Sequence, residues 1–355
     1  MNRSVLAERF SATTQIATKT FVLEAHPPRG QAPHAYLARI AGEESEVQAT
    51  DDSFLLQINA EDVELWVDTL DERFWSFHSW SNAASAKRYL KDRVERHRNL
   101  DFVWLPSGHL RNIWDGAHLS WLRSDFRGER LLPGTEAARD VRVQVRGHDS
   151  EGLLDYLAAN EVYRPAVAFD RVGFRADSPE LGVADEAVDR LGHFAAAGDS
   201  FELHQEVVRG VVRRYSRLVR LIEERVLRFE RLEGGGCFPS GTPILLRLSR
   251  RIPDMRVFLN GLFSAREPFR LWGAPEEGAS DTWTVDAVDL HVGQRISFDV
   301  GDHWLRVYLP AGACGNTVVR LVANLQHRFD ANVQFADPDL QAALTPRTSA
   351  AIGLS

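Results

Sequence analysis

Three acidic residues that lie close together in the chain are the first candidates for chemistry. Glu64, Asp68 and Asp71 fall within eight residues, and carboxylate oxygens are the ligands that hard divalent cations prefer. On a helix over 63–74 they would share one face, as metal-dependent hydrolysis requires. The alternation of apolar and polar residues over 63–67 favours a strand instead. In that interpretation Asp68 and Asp71 start and close a turn.

Histidines near a predicted junction of two helices form a second candidate group. His193, Asp199 and His204 could bind a metal ion or move protons, because imidazole titrates near neutral pH and ligates metals. His204 lies three residues after Phe201 on an apolar helix stripe, a position typical of a hydrogen-bonded core histidine. The candidate catalytic set for a hydrolase assembled from scattered residues is Asp68, Asp71, His193 and His204.

Local motifs for catalysis and cofactor binding are absent from the sequence. There is no GxxxxGK[ST] phosphate loop, no GxGxxG after a strand, no HExxH and no GxSxG. The run at 234–236 is Gly-Gly-Gly, but it lacks the lysine and the following helix that phosphate binding needs. The two cysteines, Cys237 and Cys314, have no metal-ligand spacing. We therefore predict no cofactor, no metal site and no disulfide framework.

The longest predicted helix, 200–232, carries most of the basic residues of its region. Its start has Asp199 as a cap and Glu202 three residues later, which is a capping-box pattern. An arginine strip on a helix could follow a phosphate backbone or contact an acidic protein. The arginines predicted to bind a partner are Arg209, Arg213, Arg214, Arg217, Arg220 and Arg228. The alternative is a solvated face, since the chain has 39 arginines against three lysines, a bias that codon usage explains.

The apolar stripe of the same helix has two predicted uses. It packs against its own domain, or it pairs with a long helix of a second copy, which makes a homo-oligomer the second interpretation. No helix-turn-helix or basic-zipper pattern accompanies the helix. Nucleic acid and an acidic protein surface therefore both stay open as partners.

Composition sets the class of protein. The chain has 355 residues, of which 44% are hydrophobic, with nine Trp and nineteen Phe, so it is globular and not disordered. No apolar run is long enough to cross a bilayer, and no secretory signal begins the chain. The net charge of −8 gives no general attraction for nucleic acid or anionic membranes. We predict a cytoplasmic protein without a membrane partner.

The predicted fold class is α+β, with two antiparallel-strand-rich blocks flanking a helical middle region that contains one long helix. Each block has the order strand, strand, strand, helix, strand, which suggests a weak structural repeat. Individual predictions include strands at 35–40 and 255–260, and helices at 82–98 and 185–196. The predicted divisions are an N-terminal arm at 1–19, an α+β domain at 20–140, a mixed middle region at 141–236, an α+β domain at 237–337 and a flexible tail at 338–355.

These patterns favour one function and leave another open. The lack of catalytic motifs and the polarised long helix predict a non-enzymatic binding or scaffold component of an intracellular multi-protein assembly. It would contact nucleic acid or an acidic protein partner through the arginine-rich helix. The alternative is a metal-dependent or His/Asp-based hydrolase, because many enzymes have no local motif.

Overall fold

The computed structural model describes residues 5, 7–8, 17–115, 117–133, 140–147, 149–198, 200–231, 237–279 and 281–346. The protein is a mixed α+β chain with antiparallel sheets of 11 and six strands, so the predicted class is confirmed. Contacts divide it into two compact units. The first unit comprises Met1–Val103, Gly116–Ser120 and Arg171–Val212, and the second comprises Trp104–Asp115, Trp121–Asp170 and Arg213–Ser355.

The described elements follow one another along the chain in this order: β1 (Thr18–Ala25), α1 (Pro33–Ala41), β2 (Glu46–Ala49), β3 (Leu55–Ala60), β4 (Val63–Asp68), β5 (Phe74–Ser79), α2 (Ala83–Arg96), β6 (Leu100–Phe102), α3 (Ser107–Arg111), β7 (Leu119–Phe126), β8 (Val141–Arg146), α4 (Ser150–Ala159), a 3-10 turn (Arg164–Ala166), β9 (Phe169–Ser178), β10 (Gly182–Asp189), β11 (His193–Gly198), α5 (Phe201–Glu223), β12 (Arg228–Arg231), β13 (Cys237–Ser240), β14 (Ile244–Arg247), α6 (Met255–Leu262), β15 (Leu271–Glu277), β16 (Trp283–Asp289), β17 (Arg295–Gly301), β18 (Trp304–Tyr308), α7 (Asn316–Arg328), β19 (Gln334–Phe335) and α8 (Pro338–Leu344).

Nine of the 11 strands of the larger sheet follow the order β2-β3-β4-β5-β1-β11-β10-β9, with β6 also paired to β1, and the other two are β7 and β8. Neighbouring strands along this order are antiparallel. In the second unit the order is β15-β16-β17-β18-β14-β19, again antiparallel. Helix α7 belongs to the core of this unit, since every residue from Asn316 to His327 is buried.

Both units contain the same succession of eight elements, strand-helix-four strands-helix-strand, with the same strand order in the sheet. In each case the first strand lies between the last strand of the meander and the closing strand. Leu23 pairs with Trp75 and Phe102, and Leu246 pairs with Leu305 and Phe335 in the same way. The repeat therefore extends beyond the five elements that the sequence pattern indicates.

The predicted strand at 35–40 is wrong, because this segment is helix α1. Pro33 occupies the first turn, where its missing N–H costs nothing, and Gly42 follows the end with a φ of 82°. The buried residues Tyr36, Leu37 and Ile40 lie on one helical face. Tyr and Ile favour strands by type, but their spacing fits the helical period.

Two further element predictions are wrong, and both lie in segments of ambiguous period. The predicted helix at 185–196 is the hairpin of β10 and β11, which turns at Gly192 with a φ of 69°. The middle region is therefore less helical than predicted. The predicted strand at 255–260 is α6, whose Asp254 side chain caps the helix by accepting a hydrogen bond from Val257 N.

The long helix begins as predicted but ends earlier. It is α5, Phe201–Glu223, so the predicted continuation to residue 232 is wrong. The backbone beyond Glu223 bonds elsewhere, since Leu227 N donates to the Leu309 carbonyl over 2.7 Å, and the chain then forms β12. These tertiary backbone bonds outweigh the helical spacing of the side chains that follow.

The predicted flexible tail at 338–355 is wrong for its first part. Residues Pro338–Leu344 form α8, which Asp337 caps and whose Leu340 and Leu344 are buried. The part at 347–355, like most of the predicted arm at 1–19, lies outside the described residues. Among the described helices, none has the length and apolar character needed to cross a membrane.

Candidate functional site

The acidic candidates near β4 hold a neighbouring side chain and two turns, and the side chain is Gln57, whose Nε2 donates to Glu64 Oε1 over 2.9 Å. Asp68 Oδ1 accepts a hydrogen bond from Leu70 N over 2.9 Å. Asp71 Oδ1 accepts hydrogen bonds from the N–H groups of Arg73 and Phe74, each over 2.8 Å. Residues 63–68 are a strand, so the preferred interpretation of this segment is confirmed. Each carboxylate therefore has the role that Asp commonly has in turns.

His204 belongs to a buried chain of four polar side chains in the first unit. Its Nδ1 lies 2.8 Å from Glu186 Oε1, and its Nε2 lies 2.7 Å from Thr20 Oγ1. The same hydroxyl lies 2.8 Å from His78 Nδ1. With a proton on Nδ1 of both rings, Thr20 donates to His204 and accepts from His78, so every group is satisfied.

The order carboxylate, imidazole, hydroxyl is the one that activates a nucleophile. Burial argues for a structural role, since Thr20 is 0% exposed and His204 is 1% exposed. A substrate cannot reach the hydroxyl in this conformation. The network therefore satisfies buried polar groups where β1, β5, β10 and α5 meet.

His193 belongs to a separate network at the turn between β10 and β11. Asp189 Oδ2 lies 3.1 Å from His193 Nδ1 and 2.8 Å from Lys87 Nζ. Burial acts to raise the pKa of Asp189, but the charges and hydrogen bonds of His193 and Lys87 outweigh it and hold that pKa below its usual range. The rings of Phe21 and Phe102 contact the imidazole edge-on. Asp199, the third member of the predicted group, lies outside the described residues.

The four hydrolase candidates thus have separate partners. Asp68 and Asp71 bind backbone N–H groups of their own turn, His193 pairs with Asp189, and His204 pairs with Glu186. No hydrogen bond that the structure describes joins one of these four to another. The hydrolase stays a prediction.

Helix α5 divides its arginines between an outer row and an inner position. Arg209, Arg213, Arg217 and Arg220 are exposed, at the three- and four-residue steps of one helical face. Arg209 pairs with Glu206 over 3.1 Å. Within the residues that the structure describes, Arg217 and Arg220 form neither a salt bridge nor a side-chain hydrogen bond.

Arg214 follows Arg213 in the chain but points inward, toward residues 112 and 113 of the same unit. Its guanidinium donates to the carbonyl of Asn112 over 2.8 Å and also to that of Ile113. Burial lowers the pKa of the Arg214 guanidinium, and the negative charge of the nearby Asp115 carboxylate partly offsets this shift. Arg228, the last of the predicted binding arginines, is exposed but lies on β12 and not on the helix.

The apolar face of α5 is buried in its own chain. Its buried residues are Phe201, Leu203, Val207, Val208, Val211, Val212, Tyr215, Leu218, Val219 and Ile222. Tyr215 is 0% exposed, and its hydroxyl donates to Asn316 Oδ1 and accepts from Trp104 N. The first predicted use of the stripe, packing within the chain, is therefore confirmed, and the outer row is the face that remains exposed.

A cavity of about 240 Å³ lies within the second unit. Its lining residues are Ser107, Gly108, Arg111, Leu154, Asp155, Ala158, Val167, Phe169, Gln326, Ala331, Asn332, Val333, Gln334, Gln341, Leu344 and Thr345. They come from separate segments of the chain, so no local pattern in the sequence points to this cavity. Among the lining residues that the structure describes, only Arg111 and Asp155 are charged, and Arg111 Nη2 lies 2.6 Å from Asp155 Oδ2.

Comparison with known proteins gives a family and one distant relative. A family model described as "MJECL33-like protein" matches residues 2–343. A protein of Methanocaldococcus jannaschii, named "Uncharacterized protein MJECL33", is 23% identical to this chain, and the alignment covers 89% of this chain and 85% of the relative. These names state neither a ligand nor a reaction.

Proposed function

We propose that this chain, which belongs to the MJECL33-like family, is a non-enzymatic binding component that contacts nucleic acid through the outer arginines of α5. The residues that make the contact are Arg213, Arg217 and Arg220, named here the arginine row. An assembly with other proteins supplies the remaining affinity. The observation that carries the proposal is the exposure of Arg217 and Arg220 without a carboxylate partner in the described part of the chain.

The spacing of the row suits a phosphate backbone. At 1.5 Å of rise per residue, the seven steps from Arg213 to Arg220 span roughly 10 Å, and the long side chains extend that reach. Three guanidinium groups on one face would neutralise about three phosphates. Guanidinium also binds phosphate through two parallel hydrogen bonds, which an ammonium group cannot do.

The net charge of −8 argues for a local and modest contact. Long-range attraction does not bring such a protein to a polyanion, so binding depends on where the arginines lie. Three phosphate contacts provide little affinity by themselves and would lose it as salt rises. A chain of this kind suits an assembly in which several weak contacts add up.

The test is charge reversal of the row with a matched control. Arg213→Glu/Arg217→Glu/Arg220→Glu takes the formal net charge from −8 to −14, because each of three reversals removes two charges. Arg247→Glu/Arg251→Glu/Arg295→Glu makes the same change at exposed positions elsewhere in the second unit. Fluorescence anisotropy at about 50 mM salt should show that the row variant binds a labelled 20-nucleotide strand at least tenfold more weakly than the control.

Three results would overturn the proposal. The first is no binding of single- or double-stranded nucleic acid at low salt. The second is equal loss of affinity in the row variant and in the control, which would mean that net charge acts and not the row. The third is row-dependent binding of poly-glutamate without binding of nucleic acid, which would assign the row to an acidic protein partner.

A further inference from the structure

None of the residues of the arginine row lines the polar cavity of the second unit. We infer that this cavity binds a nucleobase, either that of a free nucleoside or that of an unpaired nucleotide in a strand. The inference goes beyond the proposed function and does not depend on it. It rests on the size of the cavity, on the charge of its lining and on the carboxamide groups that face it.

The size suits a small molecule. The volume is about 240 Å³, whereas a single buried water needs only about 10–15 Å³ of such space. Apolar side chains form part of the wall, including Leu154, Val167 and Leu344. Ligand sites commonly combine such walls with a few fixed polar groups.

The charge of the lining favours a neutral ligand. Of the described residues that line it, only Arg111 and Asp155 are charged, and the Arg111 guanidinium lies 2.6 Å from Asp155 Oδ2. Their charges cancel, so a phosphate, a free carboxylate or an ammonium group gains little net attraction. A neutral heterocycle with several donors and acceptors gains hydrogen bonds without breaking this pair.

Carboxamides supply the polar contacts. Gln326 of α7 is 4% exposed, and its Oε1 accepts from Ser107 N over 3.0 Å. This bond fixes the planar group, and the structure describes no hydrogen-bond partner for its Nε2. Gln341 is held likewise, since its Oε1 accepts from Phe335 N over 2.8 Å. Asn332 adds a third carboxamide. Both glutamine oxygens already accept a backbone N–H, so these two carboxamides offer their own N–H groups, which match the acceptor atoms on the edges of bases.

A flat surface for stacking is part of the cavity lining. The guanidinium carbon of Arg111 lies 5.8 Å from the centroid of the Phe169 ring, and a guanidinium plane is a surface on which bases stack. A sugar would need an open aromatic face, but Phe169 is 5% exposed. A base therefore fits this lining better than a sugar does.

The experiment is titration calorimetry of the full chain with adenosine, guanosine, cytidine and uridine, with ribose as the control. We expect at least one nucleoside to bind with one-to-one stoichiometry and ribose to bind at least tenfold more weakly. Failure of all four nucleosides to bind at millimolar concentration would overturn the inference. Equal affinity for ribose would do the same.

Two phenylalanine substitutions on α4 locate the site. Ala158 lines the cavity, whereas its neighbour Ala159 is exposed and does not. Ala158→Phe should fill the space and weaken nucleoside binding at least tenfold, and Ala159→Phe should leave it unchanged. If Ala158→Phe does not fold, Asp155→Ala, which removes the half-exposed lining residue that pairs with the Arg111 guanidinium, should weaken binding instead. If neither Ala158→Phe nor Asp155→Ala changes the affinity for nucleoside, the ligand binds elsewhere and the inference is contradicted.

A ten-nucleotide single strand separates the two sources of the base. Strand binding that Ala158→Phe weakens at least tenfold identifies an unpaired base of a strand. Nucleoside binding that Ala158→Phe weakens, with strand binding unaffected, identifies a free nucleoside. Reversal of the arginine row should change strand affinity only, so failure of the proposed function and failure of this inference give different results.

Discussion

The carboxylate of Glu186 lies 2.8 Å from Nδ1 of His204, and both side chains are almost completely buried. This contact sets the ring so that Nε2 faces the Thr20 hydroxyl. The hydroxyl in turn meets Nδ1 of His78. Four polar groups from three strands and one helix thus hydrogen-bond to one another in the core of the first unit. The free energy of unfolding that is lost when these hydrogen bonds are removed measures how much the network stabilises the unit.

Removing the central hydroxyl should destabilise the protein. Thr20→Val keeps the shape of the side chain but removes the hydrogen bonds that the hydroxyl makes with His78 Nδ1 and His204 Nε2 in a buried site. We expect the free energy of unfolding in urea to fall by about 2 kcal/mol. Thr284→Val, at an exposed position of β16, should change it by less than about 0.5 kcal/mol. Equal effects of the two substitutions would contradict the role given to Thr20.

His109 should make stability depend on pH in a defined window. Burial lowers the pKa of His109 to about 4, with the hydrogen bond to Ala343 opposing this shift and the charge of Arg214 adding to it. In the unfolded state this imidazole therefore binds a proton near pH 6.5, and in the folded state it stays neutral at that pH. The contribution of neutral, buried His109 to the free energy of unfolding is complete above about pH 6.5. It declines as pH falls to about 4, by about 3 kcal/mol in total.

The measurement compares the wild-type chain with His109→Gln, which keeps a donor for the Ala343 carbonyl. The chain has 12 histidines, so only the difference in unfolding free energy between the two proteins isolates His109. That difference should shrink steadily from about pH 6.5 to about pH 4. A difference that stays constant over this range would show that His109 does not titrate as its burial implies.

Two arginines of α5 that lie three residues apart, Arg214 and Arg217, should behave in opposite ways. Arg214 satisfies the carbonyls of Asn112 and Ile113, so Arg214→Gln should lower the free energy of unfolding by about 2 kcal/mol. Arg217 is exposed, and Arg217→Gln should change it by less than about 0.5 kcal/mol. Nucleic-acid affinity should show the reverse order, measured at a temperature where both variants are folded. A larger loss of affinity in folded Arg214→Gln than in Arg217→Gln would argue against the outer face as the contact.

Local patterns predict much of the sheet structure and little of the rest. The strands β3 to β5 and β16 to β18 follow from alternating side chains between polar turns, which are properties of a few consecutive residues. Helix α1 and the hairpin of β10 and β11 do not, because their residue types and their spacing point to different structures. The end of α5 depends on the bond from Leu227 N to Leu309 O, a contact between distant residues that no window of sequence contains.

The same limit applies to the sites. Helical spacing predicts an arginine face on α5, but it does not separate Arg213 from Arg214, whose inward position depends on the carbonyls of Asn112 and Ile113. The turn role of Asp71 is local and could be predicted. The carboxamide-lined cavity could not, because Ser107, Asp155, Gln326 and Gln341 meet only once the second unit has folded.

The most direct test of the arginine row is the salt dependence of binding to a single-stranded oligonucleotide. If the row neutralises about three phosphates, the logarithm of the association constant should fall against the logarithm of salt concentration with a slope of about −2. Reversal of Arg213, Arg217 and Arg220 should bring that slope close to zero, while the control reversal of Arg247, Arg251 and Arg295 should keep it. An identical slope in both variants would contradict the proposed contact.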